Sequence, residues 1–266
     1  MLKLLLIPVF LYLALLVLIF AFQARMLFPA GAVGGAGPLP AGAGRLSFDT
    51  PDGNRLHGVH ISPAAPSGGQ RTLILGFGGN AWNAEAAAAY LHGIFPEADV
   101  VAFHYRGYRP STGSPGAAAL IEDAALAYDA AVSRLRPART VAVGFSIGSG
   151  VAASLAPRRP LAGLILVTPF DSLKAVAAGQ FKWLPVRWLF RHEMKPAQWL
   201  RGSSVPTALI AGARDTLIPP PRTEGLRRAA GRLVYDKTIP GAGHNDLYDR
   251  PEFRAAMREA LARITG

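Results

Sequence analysis

The sequence predicts an α/β protein in which helices cover both faces of a mostly parallel sheet. Three observations predict it: apolar runs of strand length, helix-length segments between them, and an opening pair of runs joined by a turn signal. Continuous apolar runs are typical of parallel strands, which are buried on both faces. The chain has 266 residues, half of them hydrophobic, which is enough for one large domain with a substantial core.

Each element follows from a local signal. "RLSFDT" and "LHGVHIS" flank the turn "PDGN", which predicts an opening hairpin. Further strands are predicted at 72–77, 100–105, 140–145, 161–168, 206–212 and 232–239. Helices are predicted at 84–94, 117–135, 147–156, 221–230 and 252–264. Residues 169–204 interrupt the alternation and are predicted to form a small cap insertion.

The N-terminal segment predicts a membrane anchor. Leu4 to Phe22 is a run of 19 uncharged residues, long enough to cross a bilayer as a helix. "FAFQARMLFP" lacks the small-x-small site of a secretory signal, which favours an uncleaved anchor over 1–25. A linker at 26–44 and a main domain at 45–266 follow.

This organisation predicts a single-pass protein, placed in the inner membrane if the source is a bacterium. Lys3 and Arg25 flank the apolar run almost symmetrically, so the side of the membrane on which the main domain lies stays open.

Composition narrows the function classes. The 28 basic and 17 acidic residues give a net charge of +11, which favours anionic neighbours or reflects an arginine-rich bias. No nucleic-acid-binding motif is present, so no nucleic-acid partner is expected. The chain has no cysteine, which excludes disulfides and thiolate metal sites. It also lacks His-Glu-x-x-His and nucleotide-loop spacings, so neither a metal nor a cofactor is expected.

The stretch "VAVGFSIGSG" carries the strongest chemical signal. A predicted strand ends in Gly144-Phe145-Ser146-Ile147-Gly148 and passes directly into a predicted helix. This context indicates a nucleophile elbow, a sharp turn that exposes Ser146, with glycines two residues away on each side to avoid collisions. The pentapeptide is common by chance, but in the strand–turn–helix context it is specific.

A nucleophilic serine needs a base and an orienting acid, which follow it in this order on later strand ends. Asp215 comes directly after one predicted strand and His244 after the next. His244 would take the serine proton, and Asp215 would hold the imidazole. Each residue alone has an ordinary explanation, a turn carboxylate or a loop histidine, but their joint spacing behind the elbow favours a triad.

An oxyanion needs two backbone donors. The amide of Ile147, directly after the serine, is one candidate. The other should come from the glycine-rich loop after strand 72–77, where the Asn80 amide is favoured over that of Ala81.

Other acids and histidines receive ordinary interpretations. Asp171 is a second candidate acid, with a helix N-cap as its alternative role. Asp246 is predicted to order the His244 loop, and Asp123 to lie on the surface of a helix. His57 and His60 lie in a predicted strand with no acidic partner nearby.

The cap holds Trp183, Trp188 and Trp199. Its residues Arg187 and Arg191 are spaced to share one helix face, with Leu184 and Trp188 on another. The cap could contact anionic lipid or simply pack on the sheet with solvated basic side chains.

The order of these motifs resembles membrane-anchored α/β-hydrolase-domain serine hydrolases, the group of lysophospholipases and protein depalmitoylases. The matching segments are "FQARMLFP", "GGNAWN", "VVAFHYRGYRPSTGSP", "GFSIGSGVA", "TPFDSL", "GARDTLIP" and "GAGHND". The resemblance implies the α/β-hydrolase fold and cleavage of an ester or thioester of a membrane-associated acyl substrate, without a cofactor. A non-catalytic scaffold that binds a lipid or protein, and a serine peptidase of the same fold, remain alternatives.

Overall fold

A computed structural model describes residues 2–64 and 70–266. Met1, part of the predicted anchor, and residues 65–69 lie outside the described residues. The strands are β1 (Ala43–Asp49), β2 (Arg55–Ile61), β3 (Thr72–Phe77), β4 (Asp99–Phe103), β5 (Arg139–Phe145), β6 (Gly163–Val167), β7 (Thr207–Gly212) and β8 (Leu233–Ile239). The helices are α1 (Leu2–Leu27), α2 (Ala84–Ile94), α3 (Ala117–Leu135), α4 (Ile147–Ala153), α5 (Leu173–Gln180), α6 (Val186–Leu189), α7 (Pro196–Leu200), α8 (Pro220–Ala229) and α9 (Pro251–Thr265).

All eight strands form one sheet in the order β1-β2-β4-β3-β5-β6-β7-β8. β2 is antiparallel to β1 and β4, and the remaining pairs are parallel. This is the α/β-hydrolase fold that the sequence predicts, and the observed strands agree with the predicted ones within two residues at each end. The agreement follows from burial, since β5, β6 and β7 are covered on both faces and therefore have uniformly apolar sequences.

Two apolar layers enclose the sheet. Alternate strand residues face opposite sides: Leu75 packs in the layer with α3, α4 and α8, whereas Ile74 packs in the layer with α2 and α9. In the sheet, β4 lies on one side of β3 and β5 lies on the other. The direction in which successive strands are added to the sheet therefore reverses at β3. Such a reversal opens a crevice at the carboxyl ends of the neighbouring strands, and the loops after β3 and β5 meet there.

The cap insertion contains α5, α6 and α7. The predicted helix face shared by Arg187 and Arg191 is wrong, because α6 ends at Leu189 and the backbone is extended from Phe190. The Arg191 N–H donates to Gln23 Oε1 of α1 at 2.9 Å instead of continuing a helix. Pairing with α1 therefore decides the conformation of this segment.

Helix α1 is long and apolar enough to cross a membrane. One face lies along the cap: Tyr12 donates to the Trp183 carbonyl at 2.9 Å, and Gln23 Nε2 donates to the Leu189 carbonyl at 3.1 Å. Phe28, directly after the helix, is only 2% exposed and belongs to the main core. The end of α1 is therefore attached to the main domain, while most of its apolar surface stays exposed.

Candidate active site

Ser146 lies on a strained turn between β5 and α4. Its backbone has φ 52° and ψ −119°, a region that a residue with a Cβ adopts only under constraint. A methyl group on Gly144 would collide with the Gly148 carbonyl, and one on Gly148 would collide with the Phe77 carbonyl. The turn therefore requires glycine at both positions, as the nucleophile-elbow prediction expects.

The structure brings Ser146, His244 and Asp215 into one chain of contacts. His244 Nε2 lies 3.0 Å from Ser146 Oγ, and His244 Nδ1 lies 2.7 Å from Asp215 Oδ2. A carboxylate can only accept, so Nδ1 carries the proton and Nε2 is left to accept one from the serine. This arrangement has the geometry of a nucleophile, a base and an orienting acid.

Asp215 is held for this contact by its own loop. Its Oδ1 accepts the Leu217 and Ile218 amides at 2.9 and 2.8 Å, which leaves Oδ2 for the histidine. The side chain is buried, with the residue 4% exposed. Because β7 and β8 are neighbours in the sheet, their end loops place the acid beside the histidine.

Asp171 has different partners. Its Oδ2 lies 3.2 Å from Arg222 Nη1, and its Oδ1 accepts the Ser172 amide at 2.8 Å. The expected alternative role as an N-cap is wrong, because Ser172 caps α5 by accepting the Ala175 amide. An ion pair with α8 therefore occupies the carboxylate.

The loop after β3 lies against the serine turn. The side chain of Asn80 donates to the Leu27 carbonyl at the end of α1 at 2.5 Å and accepts from the Tyr108 hydroxyl at 3.0 Å. Tyr105 donates to the Gly78 carbonyl at 2.8 Å. Sequence reasoning did not assign roles to these tyrosines, although the quoted "HYRGYRPSTG" segment contains both. They hold the loop that lines the cavity in front of the nucleophile.

The candidate oxyanion donors flank the serine. Ile147 is the first residue of α4, where backbone N–H groups have no partner within the helix. Asn80 and Ala81 both line the cavity in front of Ser146. The use of the Ile147 and Asn80 amides as oxyanion donors stays a prediction.

A buried ion pair supports the tyrosine segment. Arg106 donates to Asp123 Oδ1 at 2.5 Å and to Asp123 Oδ2 at 3.0 Å, and it also pairs with Asp52. The expected surface position of Asp123 is wrong, since this carboxyl is buried in α3. Burial raises the pKa of the Asp123 carboxyl, while Arg106 acts in the opposite direction. Helical periodicity does not reveal a partner that lies on another segment.

Two further predictions concern histidines and loop acids. His60 does have an acidic partner: its Nε2 lies 2.7 Å from Asp99 Oδ1, because β2 pairs with β4. The expectation of no partner is therefore wrong.

Asp246 accepts the Gly243 amide at 2.6 Å and pairs with Arg250, and so orders the His244 loop as predicted.

The cavity in front of Ser146, here called the nucleophile pocket, has a volume of about 460 Å³. One wall is aromatic: Trp82 and Tyr248 pack together with ring centroids 5.7 Å apart, and Tyr90 donates to the Tyr248 carbonyl. Burial raises the pKa of Tyr248 to about 12, so its hydroxyl stays protonated. Sequence reasoning missed Tyr90 and Tyr248, because nothing local distinguishes them from core aromatics.

Within residues 2–64 and 70–266, no three His, Asp or Glu side chains gather as metal ligands would.

Comparison with known proteins finds a relative that matches most of this chain. The uncharacterized protein Rv2307c of Mycobacterium tuberculosis is 36% identical over 258 residues, covering 91% of this chain and 88% of the relative. No family model matches the chain.

Two solved structures share the fold. The Pyrococcus furiosus esterase Pf2001 superimposes with a TM-score of 0.70 at 20% identity, covering 88% of this chain and 96% of that one. A membrane phospholipase A described as a bacterial virulence factor gives 0.61 at 17% identity, covering 98% and 99%.

Proposed function

The chain has the α/β-hydrolase fold and belongs to the family that includes Rv2307c, and from this premise we propose that it is a serine hydrolase. The single observation that carries the proposal is the unbroken contact from Asp215 through His244 to Ser146 at 2.7 and 3.0 Å. A non-catalytic scaffold would not need a buried carboxylate, a fixed imidazole and a strained serine turn in mutual contact, since each is costly to maintain.

The proposed chemistry forms an acyl-enzyme. His244 Nε2 takes the proton of Ser146 Oγ as the oxygen attacks an acyl carbonyl carbon. The negative charge on the former carbonyl oxygen is stabilised by the Ile147 and Asn80 amides. The leaving alcohol or thiol then takes the proton from His244, and a water molecule repeats the sequence to release the acid.

The proposed substrate is an ester or thioester of a membrane-associated acyl group. Helix α1 supports this class, because an apolar helix fixed to the main domain would hold the enzyme at a bilayer. The nucleophile pocket has a carbon-rich aromatic wall, which suits an acyl ester better than a charged peptide. We place the protein as a single-pass membrane protein, with a bacterial inner membrane as the expected location.

Covalent labelling with a fluorophosphonate tests the proposal. Wild type should be labelled, and Ser146→Ala should lose labelling and lower kcat for a short acyl ester on the order of 10⁶-fold. Ser154→Ala is the matched control: this serine is buried directly after the end of α4 and donates to the Val151 carbonyl, so its loss should leave labelling intact.

Labelling that persists in folded Ser146→Ala would overturn the nucleophile assignment. A wild type that is neither labelled nor active on any ester would instead support the lipid- or protein-binding scaffold. Faster cleavage of peptides than of acyl esters would support the peptidase.

A further inference from the structure

An apolar groove lies between α1 and the cap, separate from the nucleophile pocket. Its volume is about 580 Å³, within the range of small-molecule sites. We infer that this helix–cap groove holds the acyl chain of the substrate; the inference rests on the proposed hydrolase function. The groove is lined on opposite sides by Leu18, Phe22 and Met26 of α1 and by Phe181, Leu184 and Leu189 of the cap.

The amide side chain of Gln23, which lines the groove, is already engaged. Gln23 is 5% exposed; its amide donates to the Phe20 and Leu189 carbonyls, and its oxygen accepts the Arg191 amide. The remaining lining is almost entirely carbon. A ligand that needs hydrogen bonds would lose them there without replacement, whereas a hydrocarbon chain would lose nothing.

Two hydrogen bonds connect the wall of the groove with the wall of the nucleophile pocket. Leu27 lines the groove, and its carbonyl accepts from Asn80, which lines the pocket. On the cap side, Gln180 donates to the Leu217 carbonyl at 3.1 Å; Leu217 also lines the pocket, and Phe181, next to Gln180, lines the groove. The groove and the pocket are therefore neighbours, and we infer that an acyl chain in the groove has its carboxyl end on the side of Ser146.

The groove is also placed for a lipid. The contacts of α1 with the cap extend from Tyr12 to Gln23, which is about 16 Å along a helix. Trp183 and Trp188, near the groove, are 56% and 80% exposed, as expected of side chains that lie in a membrane interface. If α1 lies in the bilayer, the groove opens at the depth of acyl chains.

Several basic residues are next in sequence to residues that line the groove. Arg25, Lys182 and Arg187 are exposed, and none of them forms an ion pair among the described residues. Arg191 is fixed against α1: its guanidinium lies 4.3 Å from the Phe20 ring centroid and donates to the Phe20 carbonyl. A lipid with an anionic headgroup fits this arrangement, with its chain in the groove and its charge at the rim.

The test fills the groove from α1. Ile19→Trp places a large ring among the lining residues, while Val17→Trp places the same ring on a position of α1 that is 67% exposed and outside the groove. Both variants should keep the main domain intact, and the rate on p-nitrophenyl acetate checks this. The full-length chain is assayed in one detergent with p-nitrophenyl esters from acetate to laurate.

For wild type, kcat/KM should rise by up to about fourfold per added methylene, the factor that burial of one methylene supplies. Ile19→Trp should lose at least tenfold on the laurate ester and nothing on the acetate ester. Val17→Trp should keep the wild-type profile. Since the detergent and the substrates are the same, the difference between the variants reports the groove.

A second measurement needs no catalysis. Binding of 11-(dansylamino)undecanoic acid to the Ser146→Ala protein is measured by the fluorescence of the directly excited dansyl group. Adding Ile19→Trp should raise the Kd at least tenfold, and adding Val17→Trp should leave the Kd unchanged. If Ile19→Trp weakens this probe but leaves the ester profile unchanged, the groove holds a resident lipid and the substrate assignment is wrong.

If Ile19→Trp changes only the oligomeric mass, a second copy of α1 fills the groove, and the inference is also wrong. If wild type hydrolyses no ester, the proposed function is wrong. Weaker binding of the dansyl probe to Ile19→Trp would then still support an acyl-chain site in the groove, and unchanged binding would contradict it.

Discussion

The nucleophile pocket and the helix–cap groove are each stabilised by different kinds of contact. The pocket is formed by strand-end loops whose backbones approach too closely for side chains, and each polar side chain of the triad has a partner. The groove is formed by apolar side chains from two segments that a few hydrogen bonds hold side by side. The difference teaches that the turn around the nucleophile leaves no space for an added methyl group, whereas the groove leaves open volume between its side chains.

The largest expected effect separates the two candidate acids. Asp215→Asn should lower kcat about 10⁴-fold with little change in Tm, because His244 loses the carboxylate that orients it. Asp171→Asn should leave kcat within a few-fold, since Asp171 pairs with Arg222 and does not contact the imidazole. Steady-state kinetics and thermal unfolding of both variants check this. The opposite ranking would make Asp171 the catalytic acid and leave the serine and histidine assignments intact.

The second prediction compares a glycine from each region. Gly148→Ala should lower the free energy of unfolding by roughly 1–3 kcal/mol and abolish labelling, because the added methyl has no space beside the Phe77 and Gly78 carbonyls. Gly179→Ala in α5 should be neutral or stabilising by up to about 1 kcal/mol, since nothing lies near its missing Cβ. Thermal unfolding with labelling measures both. Equal losses would show that the cap is as tightly packed as the serine turn.

The third prediction concerns the contact between α1 and the cap. Gln23→Ala should loosen the segment that contains α6, because the Leu189 carbonyl and the Arg191 amide each lose a buried partner worth about 1 kcal/mol or more. Limited trypsin digestion after Arg187 and Arg191 should speed up, while activity on a short ester persists. Gln198→Ala, at an exposed glutamine of α7, is the control. Unchanged digestion would show that apolar packing alone holds the cap to α1.

The smallest effect is a pH dependence within the cap. Burial, followed by the nearby Arg191, lowers the pKa of His192 from its usual 6.5. As the pH falls, the unfolded chain therefore takes up a proton at His192 before the folded protein does. The contribution of His192 to stability is complete above pH 6.5. It is lost as the pH falls from 6.5 through the folded-state pKa.

Thermal unfolding at pH 7.5 and pH 5 should therefore show a larger drop in Tm for wild type than for His192→Phe. The substituted ring keeps the edge contact that His192 makes with Phe28. Because His104 also has a lowered pKa and affects both proteins equally, the difference between them isolates His192. Identical drops would exclude a contribution from His192.

Much of the fold was predictable because its signals are local. The strand from Thr72 to Phe77 and the helices Ala84–Ile94 and Ala117–Leu135 match their predicted ranges at both ends, since burial on both faces and amphipathic periodicity are both visible in sequence. Two of the wrong expectations, those for Asp123 and His60, share one cause. Asp123 and His60 were interpreted by their own elements, but their partners Arg106 and Asp99 come from other segments.

The sequence by itself determined the α/β class, the order of strands and helices and the identity of the three residues that meet at the nucleophile. A glycine-flanked serine after a strand, followed by an acid and a histidine on later strand ends, has few physical alternatives once the strands are parallel. Only the tertiary structure decided that Asn80 connects the loop after β3 to Leu27, and that α1 and the cap enclose an apolar groove. Such contacts depend on how distant segments pack, because an apolar side chain has no preferred partner until the fold supplies one.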